Sequence, residues 1–298
     1  MNLGGIEAGG TKWVCGIGDG SGALLSSETF PTAGPSETIG RAVRFFADRG
    51  LSALGVGSFG PVDNRPGSVS FGRIMSTPKP GWAGVNLVAA FREALGLAVA
   101  LDTDVNAALL AEARWGAGRG IDDLAYVTVG TGIGGGALVG GELLRGELHP
   151  ELGHMRVPHD RVRDPFAGVC PFHGDCLEGL ASGRAIAARW QRPAEELDDD
   201  GAWELEAEYL GLGLVNLVCV LTPQRLIVGG GVAKRPDLLP RVRRHLERLL
   251  GGYFDGFPLG AAALGDEYVV EPELGDRAGV LGAIELARRC AQAGAGRR

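Results

Sequence analysis

The sequence predicts an α/β protein made of two similar halves, and three observations carry that expectation. Short apolar runs broken by glycine turns open the chain at residues 3–30 and recur at residues 124–146. Each set is followed by stretches of helical period alternating with single apolar runs, so a βββαβα order appears twice. Glycine accounts for 51 of 298 residues with no G-x-y period, which excludes collagen and points to backbone that approaches a ligand closely.

The elements follow in order. LGGIEAGGTKWVCGIGDGSGALLSSETF reads as three antiparallel strands joined by tight turns. Ser36 is expected to cap a helix reaching about Arg49, with Ile39, Val43, Phe46 and Ala47 on one face. ALGVGSFG (53–60) is a strand ending in a glycine loop, and residues 61–82 are rich in turns. Asn86 caps a helix to about Leu95, LAVALDTD is a strand, and residues 105–116 are a helix. After the second glycine-rich set come helices at 178–191 and 203–221, the strand RLIVGGG, a helix at 236–250 and a last strand, EYVVEP. The acidic segment LDDDGAWE reads as a solvated loop and helix start, and Asp276 begins a final helix ending near Gln292. No Pro/Ser-rich tether separates the halves, so residues 118–122 read as a hinge. Residues 1–117 are expected to form a smaller N-terminal α/β lobe, joined by the C-terminal helix of about 276–298. Residues 118–275 are expected to form a larger one.

Composition narrows the function. Hydrophobic residues at 45% fill a core without disulfide staples. A net charge of -7 argues against nucleic-acid or membrane-surface partners. No apolar run reaches membrane-spanning length, and MNLGGIEAGGTK lacks the form of a secretion signal, so a soluble cytoplasmic protein is expected. Of five cysteines, Cys15 and Cys219 sit in apolar runs and read as core residues.

The densest chemistry lies between Glu151 and Glu178. His154, Cys170, His173 and Cys176 are spaced for a tetrahedral site of two thiolates and two imidazoles, which suits a structural Zn²⁺; His159 is the rival fourth ligand. Glu151 and Glu178 bracket this 154–176 loop, placed to accept hydrogen bonds from a bound polyol.

Other motifs concern phosphate. GGTK (9–12) brings Gly10, Thr11 and Lys12 to a hairpin turn where backbone and cation can hold phosphate. GTGIGG (130–135) formally matches a dinucleotide fingerprint. The apolar run that follows reads as a strand, not the helix such a fingerprint requires, which leaves Thr131 and Gly132 as phosphate holders in a second hairpin. IVGGGVA places Gly229, Gly230 and Gly231 at the end of a strand, fit to wall an adenine or ribose. Asp104, after a buried strand and at a helix start, can accept a proton from a hydroxyl or simply cap the helix.

With GGIEAGGTK, VTVGTGIGGG, ELGH, CPFHGDCLEGLASG and IVGGGV in place, the chain resembles the ROK family of bacterial sugar kinases over nearly its whole length. GSFGPVD, STPKPGW and LDTDVNAA are most similar to the zinc-containing fructokinases within it. The resemblance implies a two-lobed actin-like, RNase H-like ATPase fold with a zinc-binding insertion in the second lobe. It implies ATP- and Mg²⁺-dependent phosphorylation of the 6-hydroxyl of D-fructose, with Asp104 as general base. Thr103, Asp104, Glu151, His154 and Glu178 would bind sugar, and Glu7 would lie in the outer shell of Mg²⁺. It further implies a homodimer. Glu7, Thr103 and Lys79 depart from the Asp, Asn and Asn usual in the glucokinase branch, which favours fructose over glucose, mannose or an amino sugar. Sugar-sensing repressors of the family carry a helix-turn-helix before the first hairpin; here that hairpin begins within ten residues of Met1.

Overall fold

The computed structural model describes residues 1–77, 79–254 and 266–295. Pro78 of STPKPGW, residues 255–265 of the second half and residues 296–298 at the end of the C-terminal segment lie outside the described residues. Two compact units divide the chain. One comprises Met1–Arg119, Arg145–His149 and the chain from Leu274 on; the other comprises Gly120–Leu144 and Pro150–Glu273.

The first unit is built on β1 (Asn2–Ala8), β2 (Lys12–Gly18), β3 (Leu24–Pro31), β4 (Leu51–Ser58) and β5 (Val99–Thr103) in the order β3-β2-β1-β4-β5. The first three pair antiparallel, and β4 and β5 join parallel. The second unit repeats this pattern. Its strands β6 (Leu124–Val129), β7 (Ile133–Val139), β8 (Glu142–Leu143), β9 (Arg225–Gly229) and β10 (Val269–Val270) run in the order β10-β9-β6-β7-β8, with β6, β7 and β8 antiparallel and β9 and β10 parallel. The duplication expected from the glycine-punctuated runs is therefore written in the sheet order. The turns Gly9–Thr11 and Gly130–Gly132 occupy equivalent places in it.

Helices cover these sheets: α1 (Pro35–Phe46), α2 (Leu87–Leu95), α3 (Asp104–Trp115) and the C-terminal helix Ala278–Ala295 in the first unit, and α4 (Leu177–Ala181), α5 (Gly183–Trp190), α6 (Asp200–Leu221) and α7 (Leu238–Leu250) in the second. The C-terminal helix buries Val280, Leu281, Ile284 and Leu286; each such side chain contributes ~1.5–3 kcal/mol. It lies so close to β4 that a Cβ on Gly55 would sit 1.9 Å from the Ala283 carbonyl oxygen, and so close to α3 that a Cβ on Gly282 would sit 1.7 Å from that of Ala107. Part of the glycine excess thus serves helix packing and not ligand approach.

Several expectations are corrected. Gly34, not Ser36, caps α1, because Pro35 takes the first helical position, where a missing N–H costs nothing. The helix expected at 178–191 is two helices. Ser182 is extended between them, its hydroxyl accepts from the Ala185 N–H, and the Gly183 N–H turns away to the Gly130 carbonyl at 2.7 Å. Cys219 is exposed, since it and Val220 face outward on the last turn of α6. The last strand is only Val269–Val270, and the final helix begins at Ala278 after a single 3₁₀ turn, Gly275–Arg277. No helix among the described residues is long and apolar enough to cross a membrane.

Candidate active site and metal cluster

In the first unit, strand β5 ends where α3 begins. Thr103 caps α3, its hydroxyl accepting from the Asn106 N–H at 3.1 Å, and Asp104 is the first helical residue. Asp104 is half-buried, and its Oδ1 accepts from the Val105 N–H at 2.8 Å. The neighbouring Asp102 is fully buried and accepts from Asn64 Nδ2, the Thr103 N–H and Asn106 Nδ2 at 3.0, 2.8 and 2.7 Å. Arg145 meets its other oxygen at 2.7 Å. Asp102 is thus committed to holding the strand-to-helix turn that presents Asp104.

The Gly9–Thr11 turn of the same unit is closed by the Gly9 N–H on the Lys12 carbonyl, 3.1 Å, while Lys79 Nζ donates to the Gly10 carbonyl. Gly10, Thr11 and Lys12 are exposed, and a Cβ on Gly10 would meet nothing. The turn can therefore receive an anion.

Glu7, near the end of β1, lies against Gly279 at the start of the C-terminal helix. Burial pushes its carboxyl pKa up to about 7, reinforced by Asp104 and Asp276 and opposed by Lys12. The protonated form is thus favoured by folding. Stability from Glu7 is complete below about pH 4.5, where the unfolded chain is also protonated, and is lost as pH rises through about 7. Glu7→Gln removes this slope. Chemical denaturation should find the variant more stable than the parent by up to ~3 kcal/mol at pH 8 and equal to it near pH 4.5. Equal stabilities at both pH values would show that the carboxyl titrates normally.

The second unit gathers the metal-type residues. His154, Cys170, His173 and Cys176 bring their ligand atoms within 4.8 Å of one another. Nδ1 of His154 lies 3.5 Å from Cys176 Sγ and 3.7 Å from Cys170 Sγ, and Nδ1 of His173 lies 3.6 Å from Cys170 Sγ. A tetrahedral Zn²⁺ with Zn–S of ~2.3 Å and Zn–N of ~2.05 Å has an S···N edge of about 3.6 Å, so the donor set fits that ion. Burial pushes the Cys176 thiol up to about 11, a cost that a divalent cation on the sulfur reverses. His159 does not join them. Its Nδ1 faces Asp175 at 3.2 Å and its Nε2 the Asp164 carbonyl at 2.9 Å, so it braces the loop. Asp164 in turn accepts from Tyr209 Oη at 2.7 Å and Arg189 Nη2 at 3.2 Å, anchoring the loop to α5 and α6.

The bracketing glutamates sit differently. Glu151 is exposed and precedes the 3₁₀ turn Leu152–His154, its carbonyl accepting the His154 N–H at 3.0 Å. Glu178, on the first turn of α4, accepts from the Ile133 N–H at 3.0 Å and pairs with Arg184 at 3.3 Å. It therefore reaches the Gly130–Gly132 turn, where Thr131 is exposed. Gly132 is glycine partly for this reason, because a Cβ there would stand 2.5 Å from Glu178 Oε2. The three glycines after β9 divide in the same way. A Cβ on Gly229 would meet Tyr126 Oη at 2.7 Å, and one on Gly230 the Val129 carbonyl at 2.3 Å; only Gly231 faces open space. Arg184, Arg145 and the bracing pair Asp164–Tyr209 are absent from the sequence reading, since nothing local marks them.

A family model described as the ROK family matches residues 3–290. The fructokinase of Zymomonas mobilis is 42% identical over 295 residues, covering 95% of each chain, and that of Lactococcus lactis is 40% identical over 253 residues, 85% of this chain and 86% of that one. Among solved structures, a ROK hexokinase from Thermus thermophilus has a TM-score of 0.79 at 32% identity, covering 98% of this chain and 100% of that one. A ROK glucokinase from Streptomyces griseus, in complex with glucose and AMPPNP, has a TM-score of 0.73 at 28% identity, covering 97% and 100%. The chain belongs to the ROK family.

Proposed function

We propose that the protein is an ATP-dependent hexose kinase that phosphorylates the 6-hydroxyl of D-fructose, giving fructose 6-phosphate. The observation that carries this reading is the relationship to fructokinases over most of the chain. Asp104 is the general base. Its carboxylate, at the start of α3, takes the hydroxyl proton as that oxygen attacks the γ-phosphorus in line and the bond to ADP breaks. Thr103 supports the sugar beside it.

Glu151, Glu178 and His154 receive sugar hydroxyls. A carboxylate oxygen has more than one lone pair, so the hydrogen bond from Ile133 leaves Glu178 able to accept another. With Nδ1 of His154 turned to the cysteines, a metal there fixes the tautomer with its proton on Nε2. His154 then donates to the sugar. Gly10, Thr11, Lys12, Thr131 and Gly132 hold phosphates, while Gly229, Gly230 and Gly231 line the adenosine, with Gly231 alone facing open space. Zn²⁺ at His154, Cys170, His173 and Cys176 is structural, because four protein ligands leave it no open position. Mg²⁺ bound with the nucleotide would supply charge neutralisation on the phosphates, and Glu7 would be placed to reach it through a water. A cytoplasmic homodimer belongs to the same reading, as the family resemblance implies.

Turnover on a panel of fructose, glucose, mannose and N-acetylmannosamine with Mg-ATP tests the assignment. Fructose should lead in kcat/KM by at least about tenfold, since a site built on hydroxyl hydrogen bonds discriminates well. A higher value for any other sugar overturns the fructose assignment.

A further inference from the structure

We propose that Arg184 is a positioning residue for the phosphate-binding turn Gly130–Gly132, and that it acts by offsetting the Glu178 carboxylate and pinning the Thr131 carbonyl. This rests on the reading of that turn as a phosphate holder.

The Gly130–Gly132 turn carries a built-in conflict. Glu178 Oε2 accepts from the Ile133 N–H at 3.0 Å and fills the space beside Gly132. A nucleotide phosphate approaching the Thr131–Gly132 backbone would meet that negative charge at close range, and like charges in a partly dry site repel strongly. Arg184, the second residue of α5, resolves this. Its Nη2 donates to Glu178 Oε1 at 3.3 Å and its Nε donates to the Thr131 carbonyl at 3.2 Å. One guanidinium thus ties both flanks of the turn, and its planar fork has further N–H donors to present.

The backbone explains why Arg184 stands there. The Gly183 N–H bonds the Gly130 carbonyl at 2.7 Å, which fixes the start of α5 against the turn. The same contact breaks the chain at Ser182, so residue 184 projects toward Thr131. The side chain is 47% exposed while that of Glu178 is only 14% exposed. The cation is therefore the accessible partner, and the carboxylate lies beneath it.

The test is equilibrium binding of a non-hydrolysable ATP analogue and of adenosine to the full chain, with Arg184→Ala, Arg184→Lys, Glu178→Gln and the double variant Glu178→Gln/Arg184→Ala. Arg184→Ala should weaken the analogue about tenfold and adenosine less than about twofold, because only the former carries phosphate. The loss should shrink as salt is raised, and lysine should restore part of it. In the Glu178→Gln background, Arg184→Ala should cost less than about threefold, since the charge to be offset is gone. Analogue binding equal to the parent, or an equal loss of adenosine, overturns the proposal, as does full additivity in the double variant. A parent protein that binds adenosine but gains nothing from the phosphates overturns the phosphate assignment of the turn itself.

Discussion

Asp104→Asn is expected to lower turnover by ~10²–10⁴-fold while changing sugar and nucleotide affinity little. The amide keeps the shape and the hydrogen bond from the Val105 N–H but cannot take a proton. Single-turnover measurement with bound ATP analogue as an affinity control separates the two effects. Turnover within a few-fold of the parent would remove Asp104 from the role of base. Asp102→Asn gives the contrast. Asp102 is buried, accepts three hydrogen bonds and meets Arg145, so the change removes the buried anion that these donors surround, sets an amide N–H2 against them and lowers thermal stability.

Cys176→Ser is expected to abolish stoichiometric zinc and to cost roughly 4 kcal/mol or more of stability. Two of the four ligands are held by the insertion's own hairpin: the Cys170 N–H bonds the Gly174 carbonyl at 3.2 Å, and the Gly174 N–H returns to Cys170 at 2.9 Å. Without an ion, two buried thiols remain packed together with no centre to hold them to the half-buried His154 and the exposed His173. Elemental analysis and thermal denaturation, with and without a chelator, read both effects. Cys219→Ser, at an exposed site, should leave both unchanged. A parent protein that holds no zinc and is indifferent to chelation would sink the structural role.

What could be read from residues alone follows the range of the forces involved. The hairpins, the Asn86 helix start and the spacing of His154, Cys170, His173 and Cys176 are local, and each appears where its sequence signal lies, whereas the cap of α3 is Thr103 and not Asp104, which is the first helical residue. The break at Ser182 was illegible because residues 178–191 are a sound helical pattern overridden by one contact, Gly183 to Gly130, more than fifty residues away. Arg184 escaped notice for the same reason, since its partner Thr131 lies 53 positions from it. Cys219 misled because an apolar run in a helix passes every face, solvent included. The choice of His173 over His159 turned on Asp164 and Asp175, which hold His159 away from the sulfurs.

The narrow gap beneath the C-terminal helix bears on how the protein could be engineered. Glycine inside a helix costs ~1 kcal/mol against alanine, so such positions are common first targets for thermostabilisation. Gly282 closes that route: the methyl group would land on the Ala107 carbonyl oxygen of α3, and both are backbone-rigid. Gly55 on β4 is barred in the same way by Ala283. A hardier variant has to be sought on outward-facing positions such as Val220, where a side chain can change without moving a neighbour.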